Sequence, residues 1–82
     1  MTIYNKNVCG TNLKKIRQHS KLSQTQLAAK SQLLGLDIDK KIICLIENDK
    51  RHIHDYELVT LAEALKVPIG YLIDGLPTYM CD

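Results

Sequence analysis

Residues suited to binding phosphate occur in two segments of this 82-residue sequence. Gln24 and Thr25 follow Ser23, and the Ser-x-x-Gln pattern ending at Gln26 predicts a capped helix that begins there. Free backbone amides and the positive end of the helix dipole favour an anion at such a first turn. The second segment supplies the side-chain donors Asn48, Lys50, Arg51 and His52. The two segments together could position a phosphate backbone.

Catalytic chemistry has little support in the sequence. His19, His52 and His54 are scattered, and the last two cannot share a helix face. No glycine-rich loop, pair of carboxylates or Ser/His/Asp set is placed to act together, so we expect no enzyme activity. A metal site built from Cys9 or Cys44 with these histidines is the weaker alternative to solvated or capping roles. We therefore expect no cofactor and no metal.

The three cysteines, Cys9, Cys44 and Cys81, are odd in number and widely spaced. Without a Cys-x-x-Cys pair they predict reduced thiols rather than a disulfide framework or a zinc knuckle. No apolar run approaches the roughly 20 residues that span a bilayer, and the first thirty residues lack the pattern of a secretion signal. We expect a cytoplasmic protein with no membrane partner.

The net charge of +2 is unevenly distributed. Residues 1–51 contain ten lysines and arginines against four aspartates and glutamates, whereas residues 52–82 contain one lysine against five acidic residues. The first part therefore carries +6 and the second −4. A basic N-terminal part is compatible with a polyanion as partner, although many soluble domains have a surface of both signs.

Helical spacing dominates a sequence that has no tryptophan, no phenylalanine and no long alternation of apolar and polar residues. We predict one small all-α domain. The first helix should span about Thr11 to His19, after a lead-in that contains Gly10. The fourth should have Asp55 as its cap, and the fifth should span Ile69 to Ile73 and end at Gly75.

The second helix begins after Ser23 and should bury Leu27, Ala28 and Ser31. Gly35 interrupts the helical pattern, which makes Leu34 to Ile38 a turn. Asp39 is the expected cap of the third helix.

Ile43 and Ile46 of the third helix should face the core, with Glu47 at the boundary. Asp49 occupies the stop position, where aspartate tolerates the left-handed conformation. The outer face then carries Lys40, Lys41, Cys44, Leu45 and Asn48.

Five segments together carry a resemblance to a known family. They are Leu13–Arg17, Leu22–Ala28, Ile43–Arg51, Asp55–Leu58 and Leu61–Val67. The chain is similar, over about Asn7 to Asp74, to the phage lambda repressor and Cro type of helix-turn-helix, the XRE family of bacterial regulators. The resemblance implies a five-helix lambda-repressor-like DNA-binding domain at residues 7–75, with the helix-turn-helix formed by helices 2 and 3. An N-terminal arm at 1–6 and a C-terminal tail at 76–82 remain.

The resemblance also implies sequence-specific binding of double-stranded DNA by a small bacterial or phage transcriptional regulator, most simply a repressor, with the third helix in the major groove. Lysine can donate to guanine, whereas a thiol or a leucine can only contact a thymine methyl. The implied base contacts are Lys40, Lys41, Cys44 and Leu45. Phosphate contacts are expected from Gln24, Thr25, Asn48, Lys50, Arg51 and His52.

Further expectations accompany the resemblance. Arg17 and Glu47 should form a buried or half-buried ion pair that ties the first helix to the third. A homodimer is expected, because one short helix reads only a few base pairs and two half-sites add specificity. Its surface could be the fifth helix, Ile69 to Ile73, or the tail Leu76 to Met80, unless these residues merely close the core. No small-molecule effector is expected.

An alternative is a protein-interaction module or an antitoxin-like regulator. The third helix is unusually apolar, and an exposed Cys44 and Leu45 would suit a partner helix. Cys44 also permits a redox switch, for which an inert thiol is the simpler interpretation. Salt-sensitive binding to duplex DNA would separate a DNA-binding domain from a module that never meets DNA.

Overall fold

Five helices follow one another along the chain. The computed structural model describes the backbone of residues 6–75 and the side chains of residues 10–73. The helices are α1 (Lys6–His19), α2 (Gln24–Leu33), α3 (Lys40–Glu47), α4 (Asp55–Leu65) and α5 (Ile69–Asp74). No strand occurs in this described part, which confirms the all-α prediction. The predicted arm and tail lie outside it, apart from Lys6, which begins α1.

The predicted start of the first helix, near Thr11, is wrong. The helix begins at Lys6 and continues through Gly10. Glycine is a poor helix former, which made Gly10 look like a boundary. Helix packing explains the glycine instead, because a Cβ atom at this position would overlap the carbonyl oxygen of Ile46 in α3. Gly10 therefore lets the backbones of α1 and α3 come into direct contact.

The starts of α2 and α3 are fixed by side-chain caps, as predicted. The Ser23 hydroxyl accepts from the Gln26 amide at 3.0 Å, and the Gln26 side chain accepts from the Ser23 amide at 2.8 Å. Asp39 accepts from the amide of Ile42 at 2.9 Å and so caps α3. Asp49 has the left-handed conformation expected just beyond the end of α3, with φ of 62°.

The start of α4 differs from the prediction by one residue. The cap is His54, which has extended backbone angles, and Asp55 is the first helical residue. The side chain of Glu57 accepts from the His54 amide at 2.9 Å, and this bond places the cap. Asp55 instead lies in the first turn, where its negative charge interacts favourably with the helix dipole.

The core contains every apolar position predicted to face inward, together with residues that the sequence pattern missed. Leu36 and Ile38, assigned only to the turn, are buried with 8% and 2% of their surface exposed. The side-chain amide of Gln32 donates to the carbonyl of Ile38 at 2.9 Å and holds this connection in place. The connection between α2 and α3 is thus part of the hydrophobic core.

The last helix closes the core from the side of α1 and α4. It ends at Asp74, one residue beyond the predicted end, and Gly75 follows with φ of 91°. Leu72 is fully buried, and its carbonyl accepts from the Asn12 side chain of α1 at 2.8 Å. None of the described helices combines the length and apolar character needed to cross a membrane.

Candidate nucleic-acid interface

The first turn of α2 presents backbone donors at the surface. Ser23 and Gln26 satisfy one another, whereas the amides of Gln24 and Thr25 lie in the turn that has no acceptor within the helix. Thr25 is exposed and Gln24 is half-buried. The Gln24 side chain donates to the Glu47 carboxylate at 3.0 Å, which fixes the start of α2 against the end of α3. The backbone amides of this turn can donate to a phosphate.

The outer face of α3 is basic at its start and less polar toward its end. Lys40 and Lys41 are exposed, whereas Cys44 and Leu45 are half-buried. Asn48 is exposed, but its side-chain amide donates back to the Cys44 carbonyl at 2.8 Å and lies 3.2 Å from the Cys44 sulfur. Asn48 therefore also serves as a cap of α3, and its side-chain oxygen stays available as an acceptor.

The structure brings Arg17 and Glu47 into contact across the core boundary. Arg17 Nε and Nη2 donate to the two carboxylate oxygens of Glu47 at 2.7 and 3.0 Å, and both residues are 8% exposed. The remaining Arg17 Nη1 donates to the Leu22 carbonyl at 2.8 Å. With the bond from Gln24, this network joins α1, the loop that precedes α2, α2 itself and α3. The orientation of α3 is thus fixed from behind.

A second ion pair holds the segment that follows α3. Arg51, predicted from sequence as a phosphate contact, donates through Nη1 and Nη2 to the two oxygens of Glu57 at 3.0 and 2.9 Å. Its Nη1 also donates to the His52 carbonyl at 3.1 Å. Lys50 and His52 are exposed. The guanidinium of Arg51 is therefore used mainly inside the protein.

Glu57, which binds Arg51 beside the candidate interface, was not identified from the sequence. Burial acts to raise the pKa of this carboxyl group, but the hydrogen bonds from Arg51 and the His54 amide, with the Arg51 charge, outweigh it and lower the pKa below its ordinary value. The hydrogen bond and charge of Glu57 correspondingly raise the pKa of Arg51 despite some desolvation. A glutamate three residues after a helix cap was the available signal for this position.

These two arginines change the electrostatics of the surface beside α3. Glu47 is the last residue of α3 and Glu57 lies in the first turn of α4. Both carboxylates are buried, and each is neutralised by an arginine. Their negative charges are therefore compensated locally, while the ammonium groups of Lys40 and Lys41 stay exposed. The arrangement favours an anionic partner over a cationic one.

A protein-family model described as a helix-turn-helix domain matches residues 10–76 of the chain. The chain belongs to the helix-turn-helix domain family. The match includes most of α1 and all of α2 to α5, so it covers the caps, both ion pairs and the outer face of α3. No curated protein sequence is significantly similar to this helix-turn-helix domain. DNA binding by a regulator is the activity that membership indicates, and domains of this type are not enzymes.

Metal chemistry has no evident site in the part of the helix-turn-helix domain that the structure describes. Within residues 10–73 no three His, Cys, Asp or Glu side chains are grouped so that they could hold a metal ion. Cys44 is a free thiol. Cys9 and Cys81 lie outside the described side chains.

Proposed function

We propose that this helix-turn-helix domain is a lambda-repressor-like, XRE-type regulator that binds double-stranded DNA in a sequence-specific way and acts as a repressor. The observation that carries the proposal is the braced α3: its inner residues Ile43 and Ile46 are fully buried, while Lys40 and Lys41 project from its outer face. A rigid helix with a basic outer face is what insertion into a major groove requires. A bacterial regulator of this kind acts in the cytoplasm, where the DNA is.

Base readout is assigned to the outer face of α3. Lys40 and Lys41 would donate to guanine O6 and N7, while Cys44 and Leu45 would contact thymine methyl groups. Since Cys44 and Leu45 are half-buried, their contribution to base preference is the smaller one. The two lysines would therefore account for most of the discrimination between operators.

Phosphate binding is assigned to the segments on either side of α3. Gln24 and Thr25 would bind through their first-turn amides, and Lys50 and His52 through their exposed side chains. Arg51 and Asn48 would act chiefly by holding the backbone in place, because their donors are already engaged within the protein. A remaining donor group of these residues can add a phosphate contact, and a remaining acceptor group can bind water.

A homodimer would place two copies of α3 on half-sites one DNA turn apart, about 34–36 Å from centre to centre. Four or five phosphate contacts in each complex would make the affinity strongly dependent on salt, since each neutralised phosphate steepens the log–log slope by about 0.9.

The test is selection of bound duplexes from a random DNA pool at two salt concentrations. The wild-type chain should enrich a palindromic motif, and a Lys40→Ala/Lys41→Ala variant should lose it. A Lys14→Ala/Lys15→Ala variant is the matched control, because it removes the same charge from exposed positions of α1. If neither salt concentration gives enrichment, the DNA-binding proposal fails and a protein-interaction module using the α3 face becomes the better interpretation.

A further inference from the structure

A shallow, mainly apolar groove lies at the opposite end of α2 from the phosphate-binding turn. Its lining residues come from the last turn of α2 and from the end of α4, and we call it the α2/α4 groove. They are Lys30, Leu33, Leu34, Glu63, Ala64 and Lys66. Leu33 is 87% exposed and Leu34 is 44% exposed, which is unusual for adjacent leucines on a small domain.

The fifth helix offers much less apolar surface to a partner. Leu72 is fully buried and Tyr71 and Ile73 are half-buried, because α5 packs against α1 and α4. Ile69 is 39% exposed, so a single large apolar side chain of α5 is substantially accessible. Among the large apolar side chains of the described residues, Leu33 has the highest exposed fraction instead.

The charges around the groove are of both signs. Lys30 lies on the α2 side, one turn before Leu33, and Glu63 and Lys66 lie on the α4 side; all three are exposed. A two-fold axis through the groove would place each contact twice, with Lys30 of one copy opposite Glu63 of the other. A surface that carries both signs around exposed leucines fits a second copy of itself better than a partner of uniform charge.

We propose that the α2/α4 groove is the surface through which two copies of this chain associate. This inference rests on the proposed function, since it supplies the surface for the expected dimer. Leu33 of each copy would enter the groove of the other, against Leu34 and Ala64, with the Lys30–Glu63 pairs at the rim. Gln24 and Leu33 are nine residues apart on α2, or about 14 Å along its axis, so the dimer contact leaves the phosphate-binding turn free.

The first experiment measures the mass of the full chain by sedimentation from micromolar to millimolar concentration. The wild type should move from the 9.3 kDa monomer toward twice that mass. Leu33→Glu should weaken self-association at least about tenfold, as loss of a central apolar contact does. Tyr56→Glu is the control, because Tyr56 is 64% exposed in the first turn of α4, two turns away from Glu63, and does not line the groove. Both changes are at exposed positions, and thermal melting should show both variants folded.

The charge pairing has its own test. In a Lys30→Glu dimer each rim contact would pair two carboxylates, and in a Glu63→Lys dimer each would pair two ammonium groups. Each variant should therefore associate with itself less well than the wild type. A mixture of the two restores both opposite-charge contacts and should form heterodimers. A wild type that stays monomeric, equal effects of Leu33→Glu and Tyr56→Glu, or a mixture no better than its components would overturn the proposal.

Failure of this proposal can be told apart from failure of DNA binding. Leu33→Glu should still bind a duplex that carries a single half-site, with the salt dependence of the wild type. A monomeric wild type that binds such a duplex would remove the groove proposal and leave the DNA-binding function intact. A wild type that dimerises through the groove without binding DNA would do the reverse.

Discussion

The Glu57 carboxylate accepts hydrogen bonds from both terminal nitrogens of Arg51, at 3.0 and 2.9 Å. These bonds hold the loop between α3 and α4 against the first turn of α4. The Glu57 side chain is 5% exposed and that of Arg51 is 28% exposed. The same carboxylate accepts the amide of the helix cap, His54. One side chain therefore fixes both the start of α4 and the path of the segment proposed to lie beside DNA.

This pair should make stability depend on pH in the acid range. Since the pKa of Glu57 is lowered by folding, its contribution is complete above the ordinary glutamate pKa and is lost as the pH falls through the lower folded-state pKa. Glu57→Gln should cost about 1–2 kcal/mol at pH 7. In urea unfolding, the difference from wild type should shrink below about pH 4. A difference that is the same at pH 7 and pH 3 would show that charge is not the cause.

Arg17→Ala should affect folding before it affects base preference. The substitution leaves the Glu47 carboxylate buried without its ion-pair partner, which should cost roughly 3 kcal/mol or more. Urea unfolding measures the loss, and Gln18→Ala at the neighbouring exposed position is the control. An Arg17→Ala/Glu47→Ala variant should lose less than the two single changes added together. An unchanged melting curve for Arg17→Ala would rule out a stabilising pair.

Gly10→Ala should destabilise the domain although alanine is the better helix former. The added Cβ would overlap the Ile46 carbonyl oxygen, and backbone cannot move away as a flexible side chain can. We expect a net loss of about 2 kcal/mol after allowing for the gain in helix propensity. Gly70→Ala is the matched control: nothing lies within 4 Å of its Cβ position, and a small gain of about 0.5 kcal/mol is expected. Thermal melting of both variants compares the two sites directly.

Lys50→Ala should weaken DNA binding almost equally for all sequences and lower the salt slope by about 0.9. Lys50 is exposed, so the melting temperature should not change. Fluorescence titration of one duplex at several salt concentrations gives the slope. Lys14→Ala, which removes an exposed charge from α1, should leave that slope as in the wild type. A normal slope for Lys50→Ala would remove Lys50 from the phosphate-binding set.

The helix-turn-helix could be predicted well because its boundaries are local. Ser23 with Gln26, and Asp39 with the Ile42 amide, are caps formed by residues three apart, so the sequence pattern contains them. The start of α1 could not be predicted in this way. Glycine is needed at position 10 because the backbone there contacts Ile46, thirty-six positions later in the sequence. No local sequence pattern indicates such a contact.

The candidate site shows the same division. The exposed lysines of α3 follow from helical spacing, since the positions of Ile43 and Ile46 determine the outer face. The ion pair between Arg51 and Glu57 could not be predicted from helical spacing, because a basic residue after a recognition helix is equally compatible with a phosphate contact. Burial of Leu36 and Ile38 was missed for a related reason: a glycine-containing turn has no periodicity from which an inner face can be inferred.

The braced α3 separates the residues that fold the protein from those proposed to read DNA. Lys40 and Lys41 have no side-chain hydrogen bond or ion pair within the described residues, whereas Arg17, Gln24 and Glu47 share one network. Substitutions at the two lysines can therefore accumulate without loss of the native state. A lineage could exchange one operator for another through a few surface changes, each intermediate remaining folded, and this freedom to diverge is a direct consequence of the bracing from behind.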